Sequence, residues 1–336
     1  RIREALSQGH RIFLCGCGST GRLSLALETL WRAEHAGNEL ENRVIGFMAG
    51  GDVAMIRSIE NFEDYPSYAE RQLTELGFKD GDLLISCTEG GETPFVIGAT
   101  EKALELSKND PFFLYCNPDE QLCRLVERSR RVIENQRIRT VSLLTGPMAI
   151  SGSTRMQAST ALMAAVGLCL LYEFPSISHM QRWIHRLIRQ WERLDLGDLP
   201  SLIQEETARY EENHYLLYET DGEYGISVLT DTTERAPTFS LRPFEEADEG
   251  STDALSLCYL YFPGSEDSLD AWKDLLHREP RTLEWQEING VASRDRLLEF
   301  DFSRNLIERR RRVSQGAAHH RFRIAAPHYI QSAGRN

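Results

Sequence analysis

The stretch RIFLCGCGSTGRLSLALETL, Arg11–Leu30, sets Gly16, Gly18 and Gly21 in a G-x-G-x-x-G spacing around the hydroxyls of Ser19 and Thr20. Glycines spaced this way let the backbone turn tightly and approach a ligand, and the amides at the following helix start face outward with the positive end of the macrodipole behind them. An anion of phosphate size is the expected occupant. A dinucleotide uses the same spacing, but it calls for an acid at the end of the next strand to hold the ribose diol. Val44–Met48 runs into Ala49-Gly50-Gly51 instead. Two further turns carry hydroxyls at helix starts: Thr88, Gly90, Gly91 and Thr93 ahead of Pro94, and Ser151, Gly152, Ser153 and Thr154 ahead of Arg155. Three such turns exceed what packing requires. Glu60 and Glu63 follow Asp52, a residue suited to capping a helix, and fall one turn apart on one face. Acids so paired are ordinarily solvated, unless the helix end points into a site.

The elements that must position these turns alternate strand and helix. Ile12–Cys15, Val44–Met48, Leu83–Cys87, Phe112–Cys116, Val132–Glu134 and Val141–Leu144 read as strands. A buried helix carries Met156, Leu162 and Leu168. Alternation of this kind predicts an α/β fold with a doubly wound parallel sheet, its loops gathered above the strand carboxyl ends, where one polyhydroxylated, phosphorylated ligand can touch all three turns. Ser176–Trp191 reads as an amphipathic helix with Met180, Trp183, Ile184, Leu187, Ile188 and Trp191 on a stripe, and LDLGDLP as a linker. Beyond it, Gly225–Leu229 is expected to be a strand ending in TDTTERAPT, Leu255–Phe262 another strand and Asp270–His277 a helix. The tail from Ala317 is irregular. The division expected is 1–175, a domain with three phosphate- and hydroxyl-binding loops; 176–200, a helical linker; and 201–336, a second, related but incomplete domain.

The 336 residues suffice for two domains, and 41% hydrophobic residues fill a core in each. A net charge of −13 speaks against a nucleic-acid surface and for discrete positive loops. The basic run Arg309–Arg312 reads as a solvated face or a strand-end cluster. The longest apolar run, Ala161–Tyr172, is too short for a membrane span. Seven cysteines, with Cys15, Cys116, Cys169 and Cys258 inside apolar runs, suit a reducing cytoplasm, and Cys15-x-Cys17 lacks zinc-knuckle spacing. No metal or cofactor is expected. The chain opens at Arg1 inside what reads as a helix, with no secretory signal visible, so further residues upstream are expected.

GCGSTGRLSL, MAGGDVAMIRSIENFED, ISCTEGGETPFVIGA and GPMAISGSTRMQAST, in this order over Arg1–Leu171, resemble the SIS (sugar isomerase) domain. Within it they are similar to the branch that holds N-acetylmuramic acid 6-phosphate etherase and glucokinase regulatory protein. LTDTTERAPTFSLRPF and the FDFS of Phe300–Ser303 are similar to the second SIS domain of the regulatory protein. The resemblance implies ligand contacts from Gly18, Ser19, Thr20, Thr88, Gly90, Ser151, Ser153 and Thr154, with Glu63 as a site carboxylate and Glu60 its neighbour. In the etherase pattern an acid on the first helix, which falls at Leu30 here, works with the acid at Glu63 to eliminate lactate. Leu30 transfers no proton, and Glu28 lies about 200° round the helix from it. Gly90 and Glu92 stand where the etherase has serine and arginine, and Gln157 where both families tend to place lysine.

The resemblance thus implies a hexose-phosphate or amino-sugar-phosphate ligand and no cofactor. The leading expectation is a sugar-phosphate sensor of the regulatory-protein kind, with a sugar kinase as its protein partner and a homodimer among its assemblies. The alternative is an etherase-type lyase or another sugar-phosphate enzyme, with Glu63 as catalytic base and Glu28 or Glu92 as the second acid.

Overall fold

Ile12, Phe13, Leu14 and Cys15 are apolar at successive positions, which fits a strand covered on both faces rather than one. In the computed structural model, which describes residues 1–56, 59, 61–172, 176–212, 214–222, 224–230, 258–305, 308 and 319–323, they form the buried strand β1 (Ile12–Gly16). With β2 (Val44–Met48), β3 (Leu83–Cys87), β4 (Phe112–Tyr115) and β5 (Arg139–Ser142) it makes a five-stranded, all-parallel sheet in the order β2-β1-β3-β4-β5. Ile12 sits opposite Val44 on one side and Leu83 on the other.

Parallel neighbours need long crossovers, and helices supply them on both faces. One face carries α1 (Ile2–Ser7), α2 (Gly18–Glu34) and α7 (Ala158–Leu171), where Leu23, Leu27, Leu162 and Val166 pack against Ile12 and Leu14. The other carries α3 (Pro66–Glu75), α4 (Pro94–Leu106), α5 (Asp119–Leu125) and α6 (Glu127–Ile133), where Leu73, Val96, Leu122 and Val132 meet Phe13 and Phe113. The sheet is doubly wound, as the alternation predicts. The strand order switches direction between β1 and β3, the place where open sheets of this kind receive ligands at their carboxyl edge.

A second, smaller sheet is also parallel, in the order β7-β6-β8: β6 (Tyr215–Glu219), β7 (Cys258–Tyr261) and β8 (His319–Arg323). This part of the chain also holds α8 (Ile177–Glu192), α9 (Leu199–Glu211), α10 (224–230), α11 (Ser268–Leu276) and α12 (Arg294–Leu298). Trp272, Leu275, Phe300 and Phe302 share a buried cluster with Leu25, Met48, Val53 and Met55 of the first unit. Residues 277–292 then return to the first sheet, and Leu283, Trp285, Ile288 and Ala292 join the cluster that holds Phe13 and Phe95. Among the described residues no helix is long and apolar enough to cross a membrane.

Several local expectations are corrected. Val132 and Ile133 end helix α6, because Ser129 and Val132, three residues apart, bury one helical face. Gly225–Leu229 lies within helix α10, where Ile226 and Leu229 are buried three residues apart, a spacing that suits a helix and not the alternation of a strand. The segment after Asp52 forms two short 3-10 turns, Gly51–Met55 and Phe62–Asp64, in place of one helix carrying paired acids. Cys169 is exposed. Helix α8 follows its expected bounds, yet buries no residue fully, and Trp191 is 64% exposed. Residues 231–238 of the hydroxyl-rich turn, the basic run 309–312 and Glu60 lie outside the described residues.

Trp272 is fully buried, its Nε1–H donates to the carbonyls of Leu297 (3.2 Å) and Phe300 (3.1 Å), and its ring meets Phe302 edge-on. Trp272→Ala is expected to cost about 3–5 kcal/mol in urea unfolding; a change within about 0.5 kcal/mol would show that this cluster does not hold the second unit together.

Candidate functional site

The glycine loop closes on its own backbone. Thr20 Oγ1 accepts from the Cys17 N–H at 3.1 Å and donates to the Cys17 carbonyl at 2.9 Å, so the hydroxyl caps α2 and its donor is taken. Gly18 begins the helix at φ +53°, a left-handed conformation that favours glycine. At Gly21 a Cβ would fall 2.6 Å from Cβ of Met48, so only glycine lets α2 approach β2 this closely. The result is a cavity of about 170 Å³ at the carboxyl edge of β1 and β2, with Cys17 and Gly18 on one wall and Asn61 and Glu63 on the other.

Two charged groups face this cavity. Arg22, one turn into α2, is 3% exposed and donates from Nη2 to the Ala54 carbonyl at 3.2 Å. It sits in the quoted GCGSTGR motif, but its reach to the 51–55 turn is visible only in the fold. The Glu63 carboxylate accepts a hydrogen bond from Cys17 Sγ at 3.4 Å. Burial pushes the Cys17 thiol well above its usual range; Glu63 and then Glu89 push the same way, and Arg22 opposes them. A helix N-terminus, a guanidinium and a carboxylate on one small cavity can hold an anion and act on, or bind, a hydroxylated group beside it.

The second and third loops lie on the same edge of the sheet. Thr88 is buried, its Oγ1 pairs with Thr93 Oγ1 at 2.9 Å and accepts from the Gly91 N–H at 3.3 Å, and the Gly90 carbonyl accepts from Asn117 Nδ2 at 3.0 Å. Ser151 is exposed, Thr154 is half-buried and opens a short 3-10 turn, and Ser19 is half-buried at the start of α2. Ser153 is 2% exposed, and its Oγ has no hydrogen-bond partner among the described residues. A buried hydroxyl left in that state is costly and is ordinarily met by a ligand or water. Glu89, absent from the sequence expectations, joins the second loop to α7: its Oε1 accepts from Ser159 Oγ at 2.9 Å. Its signal is the doubled acid in TEGGE.

Neither candidate for a second acid is placed to transfer a proton at the cavity. Glu92 is exposed, beside the β3–α4 turn. Glu28 is 1% exposed and inside a cluster of guanidiniums: Arg281 reaches its two oxygens at 2.7 and 3.0 Å, Arg278 at 3.2 Å and Arg32 at 3.3 Å. Leu30 remains apolar two residues on, and the Gln157 side-chain oxygen accepts from the Ala149 N–H. Asp52 caps no helix; its carboxylate takes both Nη atoms of Arg278, at 2.7 and 3.0 Å, and the Arg281 N–H at 2.6 Å.

Residues 1–104 match the family described as Glucokinase regulatory protein N-terminal SIS domain. The N-terminal α/β unit is thus similar to the SIS domains of the group that includes the regulatory protein and the etherases. The chain is 31% identical over 161 residues to N-acetylmuramic acid 6-phosphate etherase 2 of Vibrio cholerae serotype O1, covering 48% of each chain. It is 32% identical over 219 residues to N-acetylmuramic acid 6-phosphate etherase of Rippkaea orientalis, covering 61% of this chain and 65% of that one. The chain spans about half the length of most of the curated relatives it matches. Among solved structures it is similar to the C-terminal domain of glucosamine-fructose-6-phosphate aminotransferase from Francisella tularensis, with a TM-score of 0.43 and 13% identity over 70% of this chain and 57% of that one.

Burial alone would raise the Glu28 carboxyl, but Arg278, Arg281 and Arg32 outweigh it and hold it at about 2, below its ordinary 4.5. A carboxyl lowered on folding stabilises the fold above its ordinary value and loses that contribution as pH falls towards the folded one. Wild-type stability is therefore expected to drop by on the order of 3 kcal/mol between pH 4.5 and 2 through this group. Glu28→Gln should be less stable at pH 7 and flatter across that window in urea titrations; parallel curves would refute the assignment.

Proposed function

We propose that the chain binds a phosphorylated hexose or amino-sugar derivative at the carboxyl edge of the first sheet and, with Glu63 as base, cleaves an ether substituent from it by elimination. The observation that carries this reading is the Glu63 carboxylate on the cavity at the α2 N-terminus, opposite Gly18 and beside Arg22. Its support from outside the chain is that relatives about 30% identical are named N-acetylmuramic acid 6-phosphate etherase.

The positive end of α2 and Arg22 attract the anionic ligand at the cavity, and Ser153 Oγ of the third loop, without a hydrogen-bond partner among the described residues, is a hydroxyl for it to meet. Glu63 takes a proton from the carbon next to the ether-bearing carbon. The C–H electron pair becomes a double bond, the C–O bond breaks, and the alkoxide leaves as lactate after taking up a proton from the protonated Glu63 or from water. In this scheme Gly18, Ser19, Ser151 and Thr154 frame the ligand, while Thr20, Thr88 and Gly90 hold the loops in shape.

A second reading has its own observation. Leu30 is apolar, Glu28 is bound by three arginines and Glu92 lies exposed, so the acids expected to assist Glu63 are absent from its side. On that ground the chain binds the sugar phosphate without turnover and reports it to a partner such as a sugar kinase.

A melting-temperature screen with fructose 6-phosphate, fructose 1-phosphate, sorbitol 6-phosphate, glucosamine 6-phosphate and N-acetylmuramic acid 6-phosphate, the last also assayed for lactate, separates the two. The proposal expects a rise in melting temperature by mass action and lactate release abolished by Glu63→Gln. Binding without lactate supports the sensor, and no shift with any of the five overturns both.

A further inference from the structure

The loop that carries Glu63 is held at both ends by one segment from the far part of the chain. At its start, Arg278 grips the Asp52 carboxylate with two parallel hydrogen bonds, of 2.7 and 3.0 Å. The Arg281 N–H adds a third at 2.6 Å, and the Asp52 N–H returns one to the Arg281 carbonyl at 3.1 Å. At its end, Trp285 packs on Tyr68, with ring centroids 5.5 Å apart, and Tyr68 packs at 4.9 Å on Phe62, the residue before Glu63. Trp285 Nε1–H donates to Glu75 at 2.9 Å, and the Arg71 guanidinium lies 4.3 Å over the Trp285 ring while pairing with Glu287. The same segment is tied to the glycine-loop helix: Arg278 and Arg281 both reach Glu28 on α2, and Arg281 Nη1 also donates to the Gly46 carbonyl of β2 at 3.1 Å.

One strap, residues 277–292, thus touches the helix whose N-terminus forms one wall of the cavity and the start of the loop that forms the other, and reaches the end of that loop through Tyr68. The geometry points to Arg278 and Arg281 as positioning residues that set where Glu63 stands relative to the α2 N-terminus, so that the placement of the second unit governs ligand binding in the first. Neither arginine touches the cavity. Both act through Asp52 and Glu28, whose two carboxylates are neutralised in place by bidentate guanidinium contacts, the geometry that fixes direction as well as charge. The inference rests on the reading of Glu63 as the working carboxylate, but the position of Glu63 can be read without any sugar.

Cys17 supplies that reading, because its thiol donates to Glu63 and a thiol alkylates only as thiolate. In the full chain, alkylation of Cys17 by iodoacetamide, followed by peptide mass spectrometry, is expected to accelerate several-fold in Arg278→Ala and by a similar factor in Glu63→Gln. The double variant should exceed neither, since both remove the same carboxylate from the same thiol. Arg278→Lys, with charge but no fork, should fall between. If Arg278→Ala does not fold, Asp52→Asn, which keeps the shape and one acceptor, carries the same test. An unaltered Cys17 rate in the folded strap variants, or additive effects with Glu63→Gln, overturns the inference. Affinity for whichever of the five sugar phosphates binds should fall about tenfold in Arg278→Ala. If none binds the wild-type chain, the proposed function fails while the Cys17 rates still decide the strap.

Discussion

Two carboxylates are buried beneath the glycine loop, and the arrangement of the molecule follows from how their charge is met. Glu28 and Asp52 are 1% and 2% exposed. A buried charge left alone is costly, and removing one partner from a buried pair destabilises far more than a surface pair would. Both are met by arginines more than two hundred residues further along the chain. An ion cluster of this kind adds little net stability compared with apolar packing, but it admits very few geometries. It therefore specifies where residues 277–292 cross the first sheet, and with them the turn that follows β2.

The candidate site is assembled from this edge inward. Parallel strands send all their connecting loops to one side, the order β2-β1-β3-β4-β5 switches direction beside β1, and α2 starts at the carboxyl end of β1, where the cavity lies against the end of β2. Arg22 and Glu63 then give the cavity one positive and one negative wall. The hydroxyls of the three loops are unequally held. Thr20 and Thr88 are held by their own loops, whereas the Ser153 hydroxyl is buried without a protein partner among the described residues. Glu89 bridges the second loop to α7 and joins the loops into one surface.

What was legible in the sequence was local. The strand, glycine loop and helix of Arg11–Leu30 could be read because glycine spacing, hydroxyls and apolar period all act within a few residues. The same holds for Thr93-Pro94 opening α4. The position of Glu63 on the cavity was also accessible, through the resemblance of its motif. The turn carrying it was misread as a helix, because its shape depends on Asn61 in a left-handed conformation (φ +66°) and on Asp52 turning to Arg278. No periodicity reports either. The role of Glu28 was hidden for the same reason: a mid-helix acid reads as surface or as catalyst until its distant partners are known. In α10, five residues around Ile226 and Leu229 fit a strand or a helix equally well on short-range pattern, and packing on Leu217 and Leu275 decided it.

The shared cluster of Leu25, Met48, Val53 and Met55 with Trp272, Leu275 and Phe302 bears on how this protein can be handled as parts. A fragment cut after α7 would look complete by its sheet, yet it would expose those apolar side chains and strand two ionised carboxylates in a half-open interior. Module exchange between relatives, or expression of the first unit as a stand-alone reagent, must therefore transplant residues 277–292 along with it, or redesign Glu28 and Asp52 as apolar residues.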